Sequence, residues 1–538
     1  MDPRPPLESQ RFDVIVIGGG ISGVAIAREC ARAGRRTLLV EQHDFASGTT
    51  SRSTRIIHGG LRYLEHGDIA QVRESLRERQ RLLQQHPHLI QPLEFLLALD
   101  DRSHRSAMAI RAGLWLYRRM GGATRDRVRT EGQRDKLEGL LDAGRHFSVF
   151  SFDDAQCEFP ERLVAEWLVE AVEAGCVARN HTQVVTVDIR DGVATGVLLR
   201  DQLSGQEKHV ESRWIINATG PWADAICEKS AIRTQQPMVG GVRGSHIVLP
   251  RFAGAPDAAL YTEAVDGRPV FVIPWNQQVL VGTTEVPDGS DPARVQPSQD
   301  EIDYLLRSWR QLFPQIAVSA DDVHYSFAGV RPLPYFPKAS PSALSRRHYL
   351  HDHAPDGAAR MISVIGGKLT TAGWVARECA AKIGISAAAS ARLSVVPEGD
   401  LGGWLGQWVT EVAEAGGISQ DAARGLTEWY GKRSLAIART ARDRDELQAP
   451  LCPHTQHIVA EAQHTFAHEC AITLADVLLR RVPVALGACW SPECSRVAAD
   501  RVAAAMGWSQ HRAGGELERF EAERETFLKK PPRAIRAR

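Results

Sequence analysis

Three glycines at the spacing G-x-G-x-x-G (Gly18, Gly20 and Gly23) follow directly on Phe12-Asp-Val-Ile-Val-Ile17. A loop of this kind turns tightly and brings backbone N–H groups against a pyrophosphate, and a helix N-terminus behind it stabilises the negative charge. Glu41 ends the run Thr37-Leu-Leu-Val40 and is an acid placed to accept from a ribose hydroxyl. Together these residues describe a dinucleotide site without choosing between NAD and FAD. From Glu41 to Arg55 small hydroxyl residues dominate, Ser51, Ser53 and Thr54 among them, and His58-Gly59-Gly60-Leu61-Arg62-Tyr63 follows. Short hydroxyl side chains and glycines can hydrogen-bond phosphates and a ring edge without steric cost.

The elements that must position these residues are legible as patterns. Residues 12–17 read as a buried parallel strand, 21–33 as a helix capped by Gly34, and 37–40 as a second strand. A helix over 162–174, a hairpin over 183–200 turning at Asp191-Gly192, and buried strands at 214–217 and 361–365 complete this layer. Residues 245–249, 269–273 and 278–281 alternate as in an antiparallel sheet, and the chain turns helical after Gly402-Gly403. The expected fold class is α/β: a Rossmann-like nucleotide-binding domain, an antiparallel-sheet substrate domain and a C-terminal helical domain. The nucleotide-binding domain is discontinuous, over 10–90, 150–235 and 331–395. The substrate or cap domain takes 91–149 and 236–330, the helical domain 400–525. A basic tail over 526–538, with Lys529, Lys530, Arg533, Arg536 and Arg538, is expected to be solvated.

With 538 residues the chain needs more than one core, and its 43% hydrophobic and 24% charged content is that of a globular protein. Lys+Arg and Asp+Glu are both 65, so no basic excess calls for nucleic acid. Nine scattered cysteines without a C-x-x-C pair suit reduced thiols in a cytosolic protein. The polar, proline-rich N-terminus does not read as a signal peptide, and no run of about 18 uncharged apolar residues occurs. The protein is therefore expected to be soluble or to lie on a membrane surface. Cys452, His454, His457, His464, His468 and Cys470 cluster in the sequence, yet without a paired Cys arrangement they do not read as a metal site. No metal is expected.

The stretch after Glu41 resembles the flavin-binding segment of FAD-dependent, aerobic, quinone-linked glycerol-3-phosphate dehydrogenases, within the wider D-amino-acid-oxidase-like group. Further matches follow in order: Asn217-Ala-Thr-Gly-Pro-Trp-Ala223, Gly244-Ser-His-Ile-Val248, Val272-Ile-Pro-Trp275, Gly282-Thr-Thr-Glu285, Gly329-Val-Arg-Pro-Leu333 and Gly366-Gly-Lys-Leu-Thr-Thr371. The similarity covers about residues 10–380 and extends through Glu469 to Arg481. One departure is Glu285, where the family has aspartate. The resemblance implies FAD as cofactor, held by Gly18, Gly20, Gly23, Glu41, Ser51, Ser53, Thr54, His58, Gly59, Gly220, Gly367, Leu369 and Thr370.

It also implies oxidation of sn-glycerol 3-phosphate to dihydroxyacetone phosphate by hydride transfer from C2 to flavin N5. That chemistry needs cations for the phosphate and a base for the hydroxyl proton. By the resemblance Arg331 holds the substrate at the flavin face, with Arg62, Tyr63 and Arg346 lining the same pocket. His246 is the expected base, because an imidazole with an ordinary pKa of about 6.5 abstracts protons at neutral pH. Lys368 would stabilise either an anionic reduced flavin or a developing alkoxide.

Electrons would pass to ubiquinone or menaquinone at the cytoplasmic membrane surface, from a cytoplasmic enzyme held peripherally on the inner membrane; a homodimer is compatible. Residues 102–119, where Met108, Ile110, Leu114, Trp115, Leu116 and Tyr117 interleave with arginines, suit an interfacial helix. An amphipathic helix packed on its own domain has the same pattern. The compact stretch 334–365 favours the dehydrogenase over an oxygen-using glycerol-3-phosphate oxidase. An amine or amino-acid oxidase, or a non-catalytic flavoprotein, are the remaining alternatives.

Overall fold

Phe12–Ile17 lies at the heart of an eight-stranded sheet. It is short and β-branched, and buried at all but one position. Thr37–Val40 and Glu207–Asn217 flank it in parallel, so that Ile17 stands level with both Val40 and Asn217. Met361–Ile365 and Val177–Arg179 extend the parallel run on either side, and Tyr349–Asp352 closes one edge antiparallel. The hairpin of Thr182–Arg190 and Val193–Asp201 leans off Glu207–Asn217. It turns at Asp191 and Gly192, whose φ values of 51° and 75° are what an Asp-Gly hairpin turn requires. The structure, a computed structural model, describes residues 4, 11–101, 103, 105–121, 132–336, 347–386 and 401–530.

Helix Ile21–Arg32 packs its apolar face against Pro160–Glu173 and Ala372–Lys382. It stops one residue short of the expected end, with Ala33 as its cap and Gly34 turned to φ 73°. Pro160–Glu173 starts two residues earlier than expected, because a proline's locked φ is pre-organised for the first helical position.

The second sheet has nine strands, all paired antiparallel except Ile90–Asp100 with Ala259–Glu263. The strand carrying His246, Val239–Pro250, pairs with Tyr325–Pro334 from Val239 opposite Pro334 to Val248 opposite Tyr325. The expected domain limits at 149/150 and 330/331 therefore fall inside strands. Ile90–Asp100 pairs along all of Phe147–Cys157, and Tyr325–Pro334 along Val239–Pro250, so neither ladder is interrupted at those points. Ile56–Ile57 also joins this sheet.

The helices from 401 onward share one apolar core with the second sheet, where Trp275, Tyr325 and Phe327 belong to the same buried cluster as Leu426, Leu451 and Leu474. Buried ion pairs lock them to the nucleotide-binding domain. Arg162 binds Glu469 in two-pronged fashion at 2.6 and 3.1 Å, and Arg481 binds Asp44 at 2.7 and 2.8 Å. Removing one partner of such a pair leaves an uncompensated buried charge. Glu469→Ala is accordingly expected to destabilise the protein by about 3–5 kcal/mol, seen as a lower urea midpoint in circular dichroism. An unchanged midpoint would show the pair to be dispensable.

Residues 526–530 do not behave as the solvated start of a tail. Helix Gln510–Phe527 runs into them, Leu528 is buried, and Lys529 exchanges both backbone hydrogen bonds with Ser326, at 2.8 and 2.9 Å. The apolar Phe527-Leu528 pair outweighs the following lysines. Residues 531–538 lie outside the described residues. Among the described residues no helix is long and apolar enough to cross a membrane.

Candidate active site

At the end of Phe12–Ile17 the chain turns at Gly18 with φ 103°, and a Cβ there would meet the Ala218 carbonyl oxygen at 2.7 Å. A Cβ on Gly23 would sit 1.9 Å from the Gly18 carbonyl oxygen. Only glycine lets the first turn of the helix close on the strand in this way. Glu41 is held in place by the Gly19 and His43 N–H groups, which donate to its two carboxylate oxygens at 2.7 and 2.9 Å. Each carboxylate oxygen keeps a second lone pair for a ribose hydroxyl.

From this turn a cavity of about 690 Å³ runs to the face of the second sheet. That volume is in the upper part of the range of small-molecule sites, roughly 300–1,000 Å³. Gly18, Gly20, Glu41, Ser51, Ser53, Thr54, His58, Gly220, Gly367, Leu369 and Thr370 line it, and so do Tyr63, His246, Arg331 and Lys368. The orientation is set by local bonds: Thr50 Oγ1 accepts from the Ile21 N–H at 3.0 Å, and Thr370 Oγ1 from the His58 N–H at 3.1 Å. Gly23 and Gly59 are not in the wall. Gly23 supports the turn from below, and the Gly59 N–H donates to Tyr117 Oη at 2.8 Å. The side chain of Arg62 and the whole of Arg346 lie outside the described residues.

At the far end, the His246 ring is buried and stacked on Phe327, with centroids 5.0 Å apart. Its Nε2 is 3.0 Å from Thr54 Oγ1, and Nδ1 is buried without a partner among the described residues. Gly282, directly opposite on the next strand, makes room for the ring, since a Cβ there would lie 2.3 Å from His246 Cδ2. Burial, reinforced by Arg331 and Arg55, pushes the imidazole down to about 3. The ring is neutral at any physiological pH.

Arg331 donates from Nη2 to Thr283 Oγ1 at 2.8 Å and crosses Gly244, where any Cβ would strike its guanidinium at 2.4 Å. Lys368 Nζ sits 3.8 Å from the centre of the Tyr63 ring. With the Gln71 amide turned so that its nitrogen donates to Asp68, its oxygen accepts from Lys368 Nζ at 3.1 Å. Ser245 and Thr284, on either side of these groups, both donate to the buried Glu301 carboxylate at 2.8 and 2.6 Å. That shared acceptor ties the Val239–Pro250 strand to the loop that follows Gln278–Gly282.

Several contributors were not foreseen. Asp154 accepts from Tyr117 Oη at 2.8 Å and pairs with Arg79. Burial pushes the Asp154 carboxyl up, against the opposing pull of Arg79, Tyr117 and the Gly59 N–H. Phe95, Phe152, Tyr261 and Phe271 form an aromatic wall, and Arg480, Glu523 and Phe527 reach the cavity from the C-terminal helices. A signal existed for the last group only in the Arg480-Arg481 pair of the C-terminal segment.

Tyr117 lies on helix Ala107–Gly121, whose Ile110, Leu114 and Tyr117 point inward. Met108 and Trp115 on its other face are 80% and 66% exposed.

Residues 13–380 match the family model described as FAD dependent oxidoreductase, and residues 361–513 the one described as the C-terminal domain of alpha-glycerophosphate oxidase. A glycerol-3-phosphate dehydrogenase of Synechocystis sp. is 38% identical over 506 residues, 90% of each chain. A D-erythritol 1-phosphate dehydrogenase of Brucella abortus is 36% identical over 366 residues, 68% of this chain and 72% of its own. Among solved structures, a glycerol-3-phosphate dehydrogenase from Bacillus halodurans complexed with FAD superposes with a TM-score of 0.75 at 24% identity. That likeness of fold covers 96% of this chain and 95% of the other.

Proposed function

This chain belongs to the FAD-dependent oxidoreductases of the glycerol-3-phosphate dehydrogenase family, and from that we propose that it oxidises sn-glycerol 3-phosphate to dihydroxyacetone phosphate and passes the electrons to a membrane quinone. The observation that carries the reading is that His246, Arg331 and Lys368 line the same cavity as a glycine cradle suited to a pyrophosphate. Gly18, Gly20, Glu41, Ser51, Ser53, Thr54, His58, Gly220, Gly367, Leu369 and Thr370 would hold FAD. When bound, FAD supplies the two-electron acceptor for the hydrogen on C2.

The protein's own part is binding, orientation and proton transfer. Arg331 grips the phosphate ester with its planar fork, pre-aimed by Thr283. The C2 hydroxyl gives its proton to His246 at Nε2, the edge turned to the cavity-lining Thr54. Lys368 offsets negative charge arising in the cavity, and its position over Tyr63 keeps it there.

For the acceptor, the exposed Met108 and Trp115, with Arg111, Arg118 and Arg119 on the same helix, support a face that dips into a lipid surface. Burying one such apolar side chain is worth about 1.5–3 kcal/mol. The double variant Met108→Ser/Trp115→Ser should therefore lose at least about tenfold in binding to anionic vesicles, with unchanged turnover on a soluble dye. Cosedimentation checks this, and undiminished binding would remove the helix from the membrane role.

The decisive assay mixes the yellow protein anaerobically with glycerol 3-phosphate, D-erythritol 1-phosphate or an amino acid, then adds quinone or oxygen. Bleaching by glycerol 3-phosphate and reoxidation by quinone is the expected pattern. Faster bleaching by the tetritol phosphate would change the substrate, and rapid peroxide release in air would change the acceptor.

A further inference from the structure

Three groups of titratable side chains stand close enough to share an ion. Two of them are satisfied internally. Asp44, His181 and Asp476 are held by Arg480 and Arg481, and His351, His353 and Asp356 bond one another and Ser363. The third is different in kind, and lies away from the residues that line the cavity. Cys452, His454, Cys489 and Cys494 bring three sulfurs and one ring nitrogen within 4.8 Å of one another.

Two separate segments supply them. Cys452 and His454 sit at the tip of a small hairpin, in which Pro450 bridges Ile458 and the Leu451 N–H donates to the His457 carbonyl at 2.7 Å. Cys489 and Cys494 flank the start of helix Pro492–Met506, with Cys494 in its first turn. The sequence cluster is thereby split. His457 turns away to Glu461 at 3.0 Å, His464 stacks near His468, and Cys470 lies elsewhere in the domain.

The Cys494 Sγ to His454 Nδ1 distance is 3.6 Å. A tetrahedral zinc ion, with bonds of about 2.3 Å to sulfur and about 2.0–2.1 Å to nitrogen, puts such a pair of ligands roughly 3.6 Å apart. Three soft sulfurs and an imidazole select zinc over hard cations. A disulfide would use two of the sulfurs and leave the third, and the imidazole, without a task.

The surroundings already orient the ligands. Ser491 Oγ donates to Cys494 Sγ at 3.5 Å and caps the Cys494 N–H at 3.3 Å, and Arg501 of the same helix donates to the Pro450 carbonyl. The helix N-terminus favours the negative charge of three thiolates around one divalent ion. Cys452 and Cys494 are buried while His454 and Cys489 are exposed, so the pair at the surface leaves a way in.

We propose that Cys452, His454, Cys489 and Cys494 bind one structural zinc ion that clamps the 450–458 hairpin to the start of helix Pro492–Met506. Four protein ligands close the coordination sphere, so the ion is structural and takes no part in the oxidation.

Full-length, FAD-loaded protein produced with zinc in the medium and desalted should retain about one zinc per chain by mass spectrometry. After exchange with cobalt(II) it should show the strong visible bands and thiolate charge-transfer absorption of a tetrahedral site. Cys494→Ser and His454→Ala should lower the metal content several-fold with FAD content unchanged. The cobalt spectrum is read on the unaltered chain, so a variant that fails to fold does not decide the matter. Protein that takes up neither zinc nor cobalt overturns the proposal, and so does a disulfide among these cysteines after purification under reductant.

Discussion

His246→Ala slows anaerobic bleaching of the bound flavin by glycerol 3-phosphate about 10²–10⁴-fold, while FAD content and absorption spectrum stay as in the unaltered protein. The size is that of removing a general base, the role proposed for His246. Because the ring is buried against Phe327, deletion also opens a gap, so His246→Gln is the companion variant: it can keep a bond to Thr54 and still lacks a base. Both should be slow. A histidine-free site that bleaches at the original rate would assign the proton to another group.

The pH dependence carries a sign. In the ligand-free site burial and the positive charges of Arg331 and Arg55 hold the imidazole at about 3, well below its ordinary value. A phosphate ester bound at Arg331 cancels one positive charge but leaves the larger cause, burial, in place, so the pKa stays below its ordinary value. A base whose pKa is depressed is active above that pKa, so kcat should stay level from neutral down past the ordinary histidine value of about 6.5 and fall only at lower pH. An acid limb centred above neutrality would exclude His246.

Arg331→Ala is expected to lower kcat/KM for glycerol 3-phosphate by about 10²–10⁴, chiefly through KM. Two hydrogen bonds to a charged group are worth about 1.5–3 kcal/mol each. Arg331→Lys should recover only part of this, since an ammonium matches the charge but not the two-pronged geometry. Gly244 leaves the space that the guanidinium crosses, so lysine fits without clash. Steady-state kinetics with glycerol 3-phosphate, and with glycerol as the phosphate-free control, tests the assignment. If both substrates suffer equally, Arg331 is not the phosphate ligand.

What the sequence determined by itself was whatever depends on neighbours along the chain. The strand, glycine turn and helix from Phe12 to Arg32, the turn at Asp191-Gly192 and the helical C-terminal region are set by side-chain periodicity and by φ requirements within a few residues. The resemblance carried by the sequence motifs assigned His246, Arg331 and Lys368 to one site, and all three line the cavity that includes the glycine cradle. Tertiary structure alone decided the rest. The Tyr117–Asp154–Arg79 network, the grip of Arg480 and Arg481 on Asp44, and the meeting of Cys452 and His454 with Cys489 and Cys494 join residues far apart in the chain. A buried charge or thiol is stable only where packing supplies its partner, and no local pattern records which partner that will be. Helix Ala107–Gly121 shows the same division. Its amphipathic spacing was readable, but only the packed structure determined that Tyr117 reaches Asp154 and the Gly59 N–H while Trp115 faces out.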